Sequence, residues 1–249
     1  MNIKDSQSDI LKHYQLKGWV VVDDVFEKKE VENLVKVTQE LIDKEIKEGG
    51  IHSLENLNVD GKVVPRKIDS PFRKDLNYKE FLGCDNLQNL LKILLQSKAS
   101  LIADQIFLKP PFVGSEKPYH QDNEYFKCTP VDKLITAWIA LDDVDVENGC
   151  MRYIDGTHKS AIVPHVKDPV NGYNLVIPQE YLDLKKESLA NVKKGGVVFH
   201  HGNTMHKSGN NASSRWRRGY ATHWAMPQIQ TESPVVKNGY FYSYEKIRT

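Results

Sequence analysis

Cysteine is scarce in this chain of 249 residues. Cys84, Cys128 and Cys150 are the only three, far apart and odd in number. That excludes a disulfide framework or a cysteine-rich zinc cluster as the organising device. Long apolar runs are also missing, so no segment reads as a bilayer span. Residues Met1 to Ile10 are polar and lack the apolar core of a secretory signal. Neither sign of charge is in excess: 34 Lys and Arg stand against 33 Asp and Glu, a net +1. Such a balance offers no basic field to a nucleic-acid backbone and no acidic tail. Internal repeats, low-complexity segments and linkers are absent. The sequence Lys246-Ile247-Arg248-Thr249 matches neither the peroxisomal nor the endoplasmic-reticulum address. Asn211-Ala212-Ser213 is a formal glycosylation sequon, read as chance without a secretory signal. The expectation is a cytoplasmic protein that engages neither membrane nor nucleic acid, of unspecified oligomeric state.

What is present fits an ordinary globular chain: 40% hydrophobic and 27% charged residues. The length allows one large domain or two small ones. Helical spacing dominates the N-terminal third. Asp9 to Lys17 places Ile10, Leu11 and Tyr14 on one face, with Gly18 as the stop. Trp19 to Val22 is a β-branched run that predicts a strand. Glu27 to Lys47 carries Val31, Leu34, Val35, Thr38, Leu41, Ile42 and Ile46 at helical spacing, closed by Gly49-Gly50. Asn86 to Leu95 repeats the pattern with five leucines, and Asp85 is a candidate cap. These stripes read as core.

From residue 101 the texture changes to short strands separated by turn signals. Strands are expected at Leu101 to Leu108, Ile135 to Leu141, Cys150 to Ile154, Val197 to His200 and Arg217 to Trp224. Lys109-Pro110-Pro111, Asn148-Gly149, Asp155-Gly156-Thr157 and Gly195-Gly196 break them. Regularly spaced short strands suggest a sandwich or jelly roll. The polar stretch from Pro164 to Asn191 reads as an insertion or lid. The economical architecture is one domain over 1–249, with a helical buttress mainly at 5–98 and a β core mainly at 101–226.

One short stretch carries chemistry. In Tyr119-His120-Gln121-Asp122, an extended backbone sends residues i and i+2 to the same face, so His120 and Asp122 can meet one metal ion while Gln121 points elsewhere. A carboxylate and two imidazoles, with coordination positions left open, make a non-haem iron(II) site suited to oxidation chemistry. A second imidazole has to come from far downstream, where His200, His201 and His206 are candidates. By itself, His-x-Asp is weak evidence; the surrounding motifs give it weight.

Those motifs are Leu108-Lys109-Pro110-Pro111, His120-Gln121-Asp122 with Tyr125-Phe126, Ala137-Trp138, Asn148-Gly149-Cys150-Met151, Gly156-Thr157-His158-Lys159, and Gly196-Val197-Val198-Phe199 leading to His206, Ser208, Gly209 and Arg217. In this order, from about Asp9 to Trp224, the chain resembles the phytanoyl-CoA dioxygenase family of iron(II)/2-oxoglutarate oxygenases. The resemblance implies a mainly β fold with flanking helices around a double-stranded β-helix, the cupin-like jelly roll.

It also implies a division of labour. His120, Asp122 and His206 become the iron ligands. His201 matches a family histidine that is not a ligand, and His200 reads as structural or supporting. His158 and His165 follow turns and read as surface or hydrogen-bonding residues. Arg217 becomes the partner of the far carboxylate of 2-oxoglutarate, a job for a bidentate cation that stays charged when desolvated. Ser208 matches a hydroxyl holding the same carboxylate. Trp138, Gln105, Gln121 and Lys67 are further cosubstrate contacts. Arg215 and Arg218 compete with Arg217 and read as a solvated rim. A pocket roof is expected from Asn123, Glu124, Tyr125, Arg152, Tyr153, His223 and Trp224, whose mixed polar and aromatic character suits a small polar or amphipathic substrate. Asp155 stands where many relatives have proline.

The activity so implied uses Fe(II), 2-oxoglutarate and O2. It hydroxylates a small metabolite by C–H abstraction, or desaturates or cyclises it, and releases succinate and CO2; natural-product or amino-acid tailoring is the expected setting. Asp122 argues against halogenation, because related halogenases replace this carboxylate with a small residue. Two other classes compete: a non-catalytic jelly-roll binding module and a zinc hydrolase with the same three ligands. The intact ligand set with Arg217 weighs against the first, and Arg217 has no role in the second.

Overall fold

A computed structural model describes residues 1–47, 56–59, 62–168, 175–237, 242, 243 and 247. The chain opens with the Gln7–Lys17 helix, which buries Ile10 and Tyr14. Gly18 ends it in the left-handed region at φ 84°, donating its amide to the Tyr14 carbonyl at 2.7 Å. Only glycine fits there, since a Cβ would lie 2.4 Å from His158 Nδ1. The Lys28–Lys47 helix buries Val31, Leu34, Val37, Thr38, Leu41 and Ile42. Val35 is only partly buried, and Ile46, in the last turn, is 39% exposed. The expected stop at Gly49-Gly50 lies outside the described residues. In the Asp85–Leu95 helix the cap position is taken by Cys84, so Asp85 is the first helical residue. There its charge favours the helix N-terminus.

Two antiparallel sheets follow. The larger has seven strands. Its path runs Trp19–Val22, Val197–His201, Leu134–Ala140, Arg217–Ala225, Ser100–Lys109 and Tyr242–Ser243, with Lys67–Asp69 also paired to Ser100–Lys109. The smaller has four strands in the order Glu187–Ala190, Met151–Ile154, His206–Ser208 and Lys117–His120. This is the jelly roll. The 187–190 strand corrects the expectation of one long lid over 164–191: Ser188 and Leu189 sit opposite Tyr153 and Arg152, so the end of that segment belongs to the sheet. Residues 169–174 lie outside the described set.

Alternation along each strand divides the apolar residues into two layers. Val20, Ile106, Leu108, Ile135, Ala137, Ile139, Val197, Phe199 and Tyr220 face the helices and join Leu34, Leu87, Leu91 and Leu94 in one core. Burying each such leucine or isoleucine contributes about 1.5–3 kcal/mol. Trp138, Ala140, Val198 and Ala221 face the other way and meet Met151, Tyr153 and Ala190 of the small sheet. The polar residues that build the site, Thr136, His200 and Arg217 among them, lie on this inner face.

One glycine sets the depth of that interior. Gly219 lies in the central strand opposite Ala140 and Phe107. A Cβ at this position would fall 1.8 Å from Trp138 Cζ2. Gly219→Ala is expected to displace the indole and lower stability by about 1–3 kcal/mol, as overpacked cores do. Urea unfolding checks the stability, and Trp fluorescence checks the ring's environment.

Candidate metal centre

His120 is the last residue of the Lys117–His120 strand. Gln121 continues extended at φ −119°, ψ 129°, and Asp122 is the first residue of the Asp122–Phe126 helix. Asp122 is therefore not in a strand as expected, yet the extended Gln121 keeps the i, i+2 relation intact. His206 opens the His206–Ser208 strand, directly opposite His120 on one side and Tyr153 on the other. One donor atom from each of His120, Asp122 and His206 lies within 4.8 Å of the other two, and all three residues are buried.

The donor atoms are aimed before any ion arrives. His120 Nδ1 donates to the Pro118 carbonyl at 2.8 Å, and His206 Nδ1 donates to the Thr204 carbonyl at 2.9 Å. A neutral imidazole with its proton on Nδ1 presents a bare Nε2. Both Nε2 atoms lie 3.6 Å from Asp122 Oδ1. The other carboxylate oxygen is occupied elsewhere: Thr136 Oγ1 donates to Oδ2 at 2.5 Å, and His200 Nε2 lies 3.0 Å from it. Because Thr136 gives its proton to Asp122, it accepts from His223 Nδ1 at 2.9 Å. One oxygen of Asp122 is thus turned to the histidines and the other is held by the protein.

Protonation favours a cation. Burial pushes His120 well below its ordinary value and His206 down to about 4. Burial would raise Asp122, but His206, His200 and His223 outweigh it and hold the carboxyl well below the usual range. Neutral imidazoles and an ionised carboxylate are the forms that bind metal.

Beyond the triad lies a cationic cradle. Arg217 is only 1% exposed. Its guanidinium lies over the Trp138 ring at 4.3 Å, and Nη2 reaches Met151 Sδ at 3.5 Å. Met151 pairs with Ser208 across the small sheet, so Arg217, Trp138, Met151 and Ser208 meet at one place. Buried Nε of Arg217 has no hydrogen-bond partner, and no ion pair to it occurs among the described residues. Burial pushes this group down to about 10. A desolvated cation with an unused donor wants an anion. Opposite Arg217 sits Lys109, also buried, with Nζ donating to the Ser115 carbonyl at 2.8 Å and to the Gly209 carbonyl.

The other sequence-derived candidates fall into two groups. Tyr125, Tyr153 and His223 stand beside the triad. The Tyr125 ring is 6.0 Å from His120, and Tyr153 is 5.8 Å from His206. His223 touches Thr136. Gln105 shares a cross-strand row with Ala221 and Trp138, so it is on the inner face. Lys67 lies at the sheet edge opposite Phe107, with its ammonium 3.2 Å from Asp69.

The rest point away. Gln121 spends its amide on the Asn203 carbonyl and the Val163 amide, at 2.7 and 3.0 Å, so it ties loops together instead of reaching the cosubstrate. Asn123 brackets the Cys128 backbone. Arg152 alternates to the outer face and pairs with Glu187 at 3.1 Å. Trp224 follows inner-facing His223 in the strand and so alternates to the helix face, where it is fully buried with Tyr220. Glu124 pairs with Lys127. Arg215 binds Asp145 and Arg218 binds Asp142, leaving Arg217 alone inside. His201 accepts from the Asn203 amide and neighbours His158, on the far side from the triad. His165 accepts from the Gln121 amide at 3.0 Å.

Thr136, Met151 and Lys109 were not anticipated as site residues. Lys109 and Met151 lie within the family motifs without a role attached, and strand parity is the signal that places Thr136 and Met151: Thr136 is two residues before Trp138, and Met151 two before Tyr153. Parity becomes informative only after the register is known.

The donor set fits iron(II): two imidazoles and a carboxylate converge, while the orphaned Arg217 Nε supplies a place for a second carboxylate. Comparison with known proteins agrees. The family model described as phytanoyl-CoA dioxygenase (PhyH) matches residues 14–219. The peroxisomal phytanoyl-CoA dioxygenase of Bos taurus is 25% identical over 227 residues, which cover 86% of this chain and 67% of that protein. Among solved structures, the non-heme alpha ketoglutarate dependent carbocyclase SnoK from nogalamycin biosynthesis superposes with a TM-score of 0.76 at 20% identity, covering 96% of this chain and 91% of its own. The epimerase SnoN in complex with Fe3+, alpha ketoglutarate and nogalamycin RO superposes at 0.71 with 18% identity, covering 92% and 86%. At such identities these two likenesses speak for the fold.

Proposed function

This chain belongs to the phytanoyl-CoA dioxygenase family, and from that premise we propose which residues run its chemistry and what it acts on. The protein is a non-haem iron(II)/2-oxoglutarate-dependent oxygenase. His120, Asp122 and His206 hold the iron, and Arg217 with Ser208 and Trp138 holds the far end of 2-oxoglutarate. The whole chain works as a single oxygenase domain. One observation carries the assignment: a buried His-Asp-His set shares the jelly-roll interior with a buried arginine whose Nε has no partner.

When bound, iron(II) with 2-oxoglutarate and O2 supplies an oxidant able to attack an unactivated C–H bond, and the cosubstrate leaves as succinate and CO2. The protein's own part is binding and orientation. Arg217 would pair with the far carboxylate in a bidentate way, and Trp138 beneath it keeps the guanidinium flat. Asp122 uses one oxygen for the ion and keeps the other on Thr136 and His200. The partly exposed Tyr125, Gln105, Phe107 and Lys117 mix aromatic and polar character on the accessible side. They favour a small polar or amphipathic metabolite, hydroxylated at carbon, over a bare lipid chain.

The test is spectroscopic. Protein reconstituted anaerobically with iron(II) and 2-oxoglutarate is expected to show the weak metal-to-ligand charge-transfer band of a chelated 2-oxo acid. A folded protein without that band would sink the assignment. Screening metabolite extracts for succinate release coupled to a mass gain would then identify the substrate.

A further inference from the structure

We propose that His200 is a positioning residue for Asp122: it fixes the carboxylate so that a single oxygen faces the ion. The inference rests on the metal-centre assignment above and adds a role that the three ligands do not explain.

His200 lies on the inner face of the Val197–His201 strand and is fully enclosed. Its two nitrogens have different partners. Nε2 is 3.0 Å from Asp122 Oδ2, and Nδ1 is 3.0 Å from the Tyr153 hydroxyl. An ionised carboxylate only accepts, so Nε2 carries the proton. The neutral ring then has Nδ1 free to accept from Tyr153. Asp122 thus sets the tautomer of His200, and the Tyr153 hydroxyl holds the ring from its far side.

Tyr153 is itself held in place. Its ring stacks on Trp19 at 4.8 Å and 11°, and Trp19 Nε1 donates to Asp155 Oδ1 at 2.7 Å. Lys17 and Ser188 bind the other Asp155 oxygen at 2.8 and 3.0 Å. A continuous line of contacts thus runs from a surface ion pair through Trp19, Tyr153 and His200 to Asp122. Asp155 supplies the fastening at the outer end.

The consequence concerns the number of carboxylate oxygens offered to the ion. With Thr136 and His200 both donating to Oδ2, only Oδ1 is free to face His120 and His206. Without His200, Oδ2 keeps one donor and the carboxylate can swing. It then either loses its aim or offers both oxygens, using a position that 2-oxoglutarate needs. A purely structural role predicts something else. The His200 ring also packs between Tyr153 and His206, at 5.4 and 4.3 Å; if packing were all, any ring of that size would serve.

Three variants separate these roles. His200→Phe keeps a ring and removes both polar atoms. His200→Gln keeps a donor for Asp122 and an acceptor for Tyr153. Tyr153→Phe keeps the stack on Trp19 and removes only the hydroxyl. The readouts are Co(II) and anaerobic Fe(II) affinity, by chelator competition, and the melting temperature of the metal-free protein. His200→Phe is expected to lose roughly 10–100-fold in metal affinity. His200→Gln should return near the parent value and Tyr153→Phe should fall between, with metal-free melting close to the parent in each. Parent-like affinity in folded His200→Phe overturns the proposal. So does a His200→Gln variant that loses affinity and melts early, which assigns His200 to packing. If His200→Phe does not fold, parent-like affinity in Tyr153→Phe overturns it. Failure of the parent protein to bind either metal overturns the metal centre itself, a result distinct from all of these.

Discussion

Asp122→Ala is expected to abolish succinate formation while the protein stays folded. Removing a partner of a metal ligand typically costs about 10–100-fold, so removing the ligand itself should cost more than that. Two imidazoles without a carboxylate also lose the negative charge that favours a divalent ion. The fold has reason to survive. The Asp122 carboxylate is buried among His120, His200, His206 and His223. Alanine removes a buried charge, and the cost is a pair of donors, Thr136 and His200, that lose an acceptor. Thr136 can still pair with His223, and His200 with Tyr153. Circular dichroism checks the fold, and 2-oxoglutarate turnover with succinate quantified by mass spectrometry checks the activity. Turnover at the parent rate in folded protein would show that the iron is held elsewhere.

Arg217→Met should separate cosubstrate binding from stability, and move them in opposite directions. Truncating one partner of a buried charged hydrogen-bonded pair costs about 2–4 kcal/mol, or roughly 30- to 1000-fold in 2-oxoglutarate affinity. Metal binding should be nearly unchanged, because Arg217 touches Trp138 and Met151 and none of the three ligands. The cosubstrate-free protein, by contrast, should melt at or a few degrees above the parent. In that state Arg217 is a buried cation with an orphaned Nε, and methionine fills similar space beside Trp138 and Met151 without a charge to desolvate. Isothermal titration with 2-oxoglutarate gives the first quantity and differential scanning calorimetry the second. Undiminished 2-oxoglutarate affinity would remove Arg217 from the cosubstrate site.

Much of the fold was legible because its signals are local. The helix of residues 28–47 announces itself by spacing, and the strands near 101–108, 135–141 and 217–224 by being short stretches set between turn signals. Ser100–Lys109 extends the expectation by one residue at both ends and Arg217–Ala225 by one at its end, while Leu134–Ala140 is shifted back by one. What stayed hidden was short or dependent on pairing. Lys67–Asp69 and His206–Ser208 have three residues each, too few for a pattern, and they are strands only because Ser100–Lys109 and Met151–Ile154 lie beside them. Glu187–Ala190 reads as loop because its pattern is inverted: Leu189 is exposed on the outer face while Ser188 turns inward opposite Tyr153.

The site divides the same way. His120, Asp122, His206 and Arg217 were readable from motif order, and the structure brings donor atoms of the first three within 4.8 Å of one another. Gln121, Asn123, Arg152 and Trp224 were placed near the pocket by sequence adjacency, yet neighbouring residues in extended chain face opposite ways. His200 and His201 make the point within a single dipeptide: the first touches Asp122, and the second turns to His158.

The three ligands differ in what secures them, and this bears on how freely the sequence around them can drift. His120 and His206 are oriented by main-chain carbonyls two residues upstream, at Pro118 and Thr204. Every amino acid carries that carbonyl, so the side chains at 118 and 204 can be exchanged without touching the acceptor. Asp122 is oriented by the side chains of Thr136 and His200, which come from distant strands and can be lost in one mutation each. Evolutionary fragility at this centre is therefore concentrated on the carboxylate. The histidines are insulated by the backbone, and divergence among descendants of this chain should begin around Asp122.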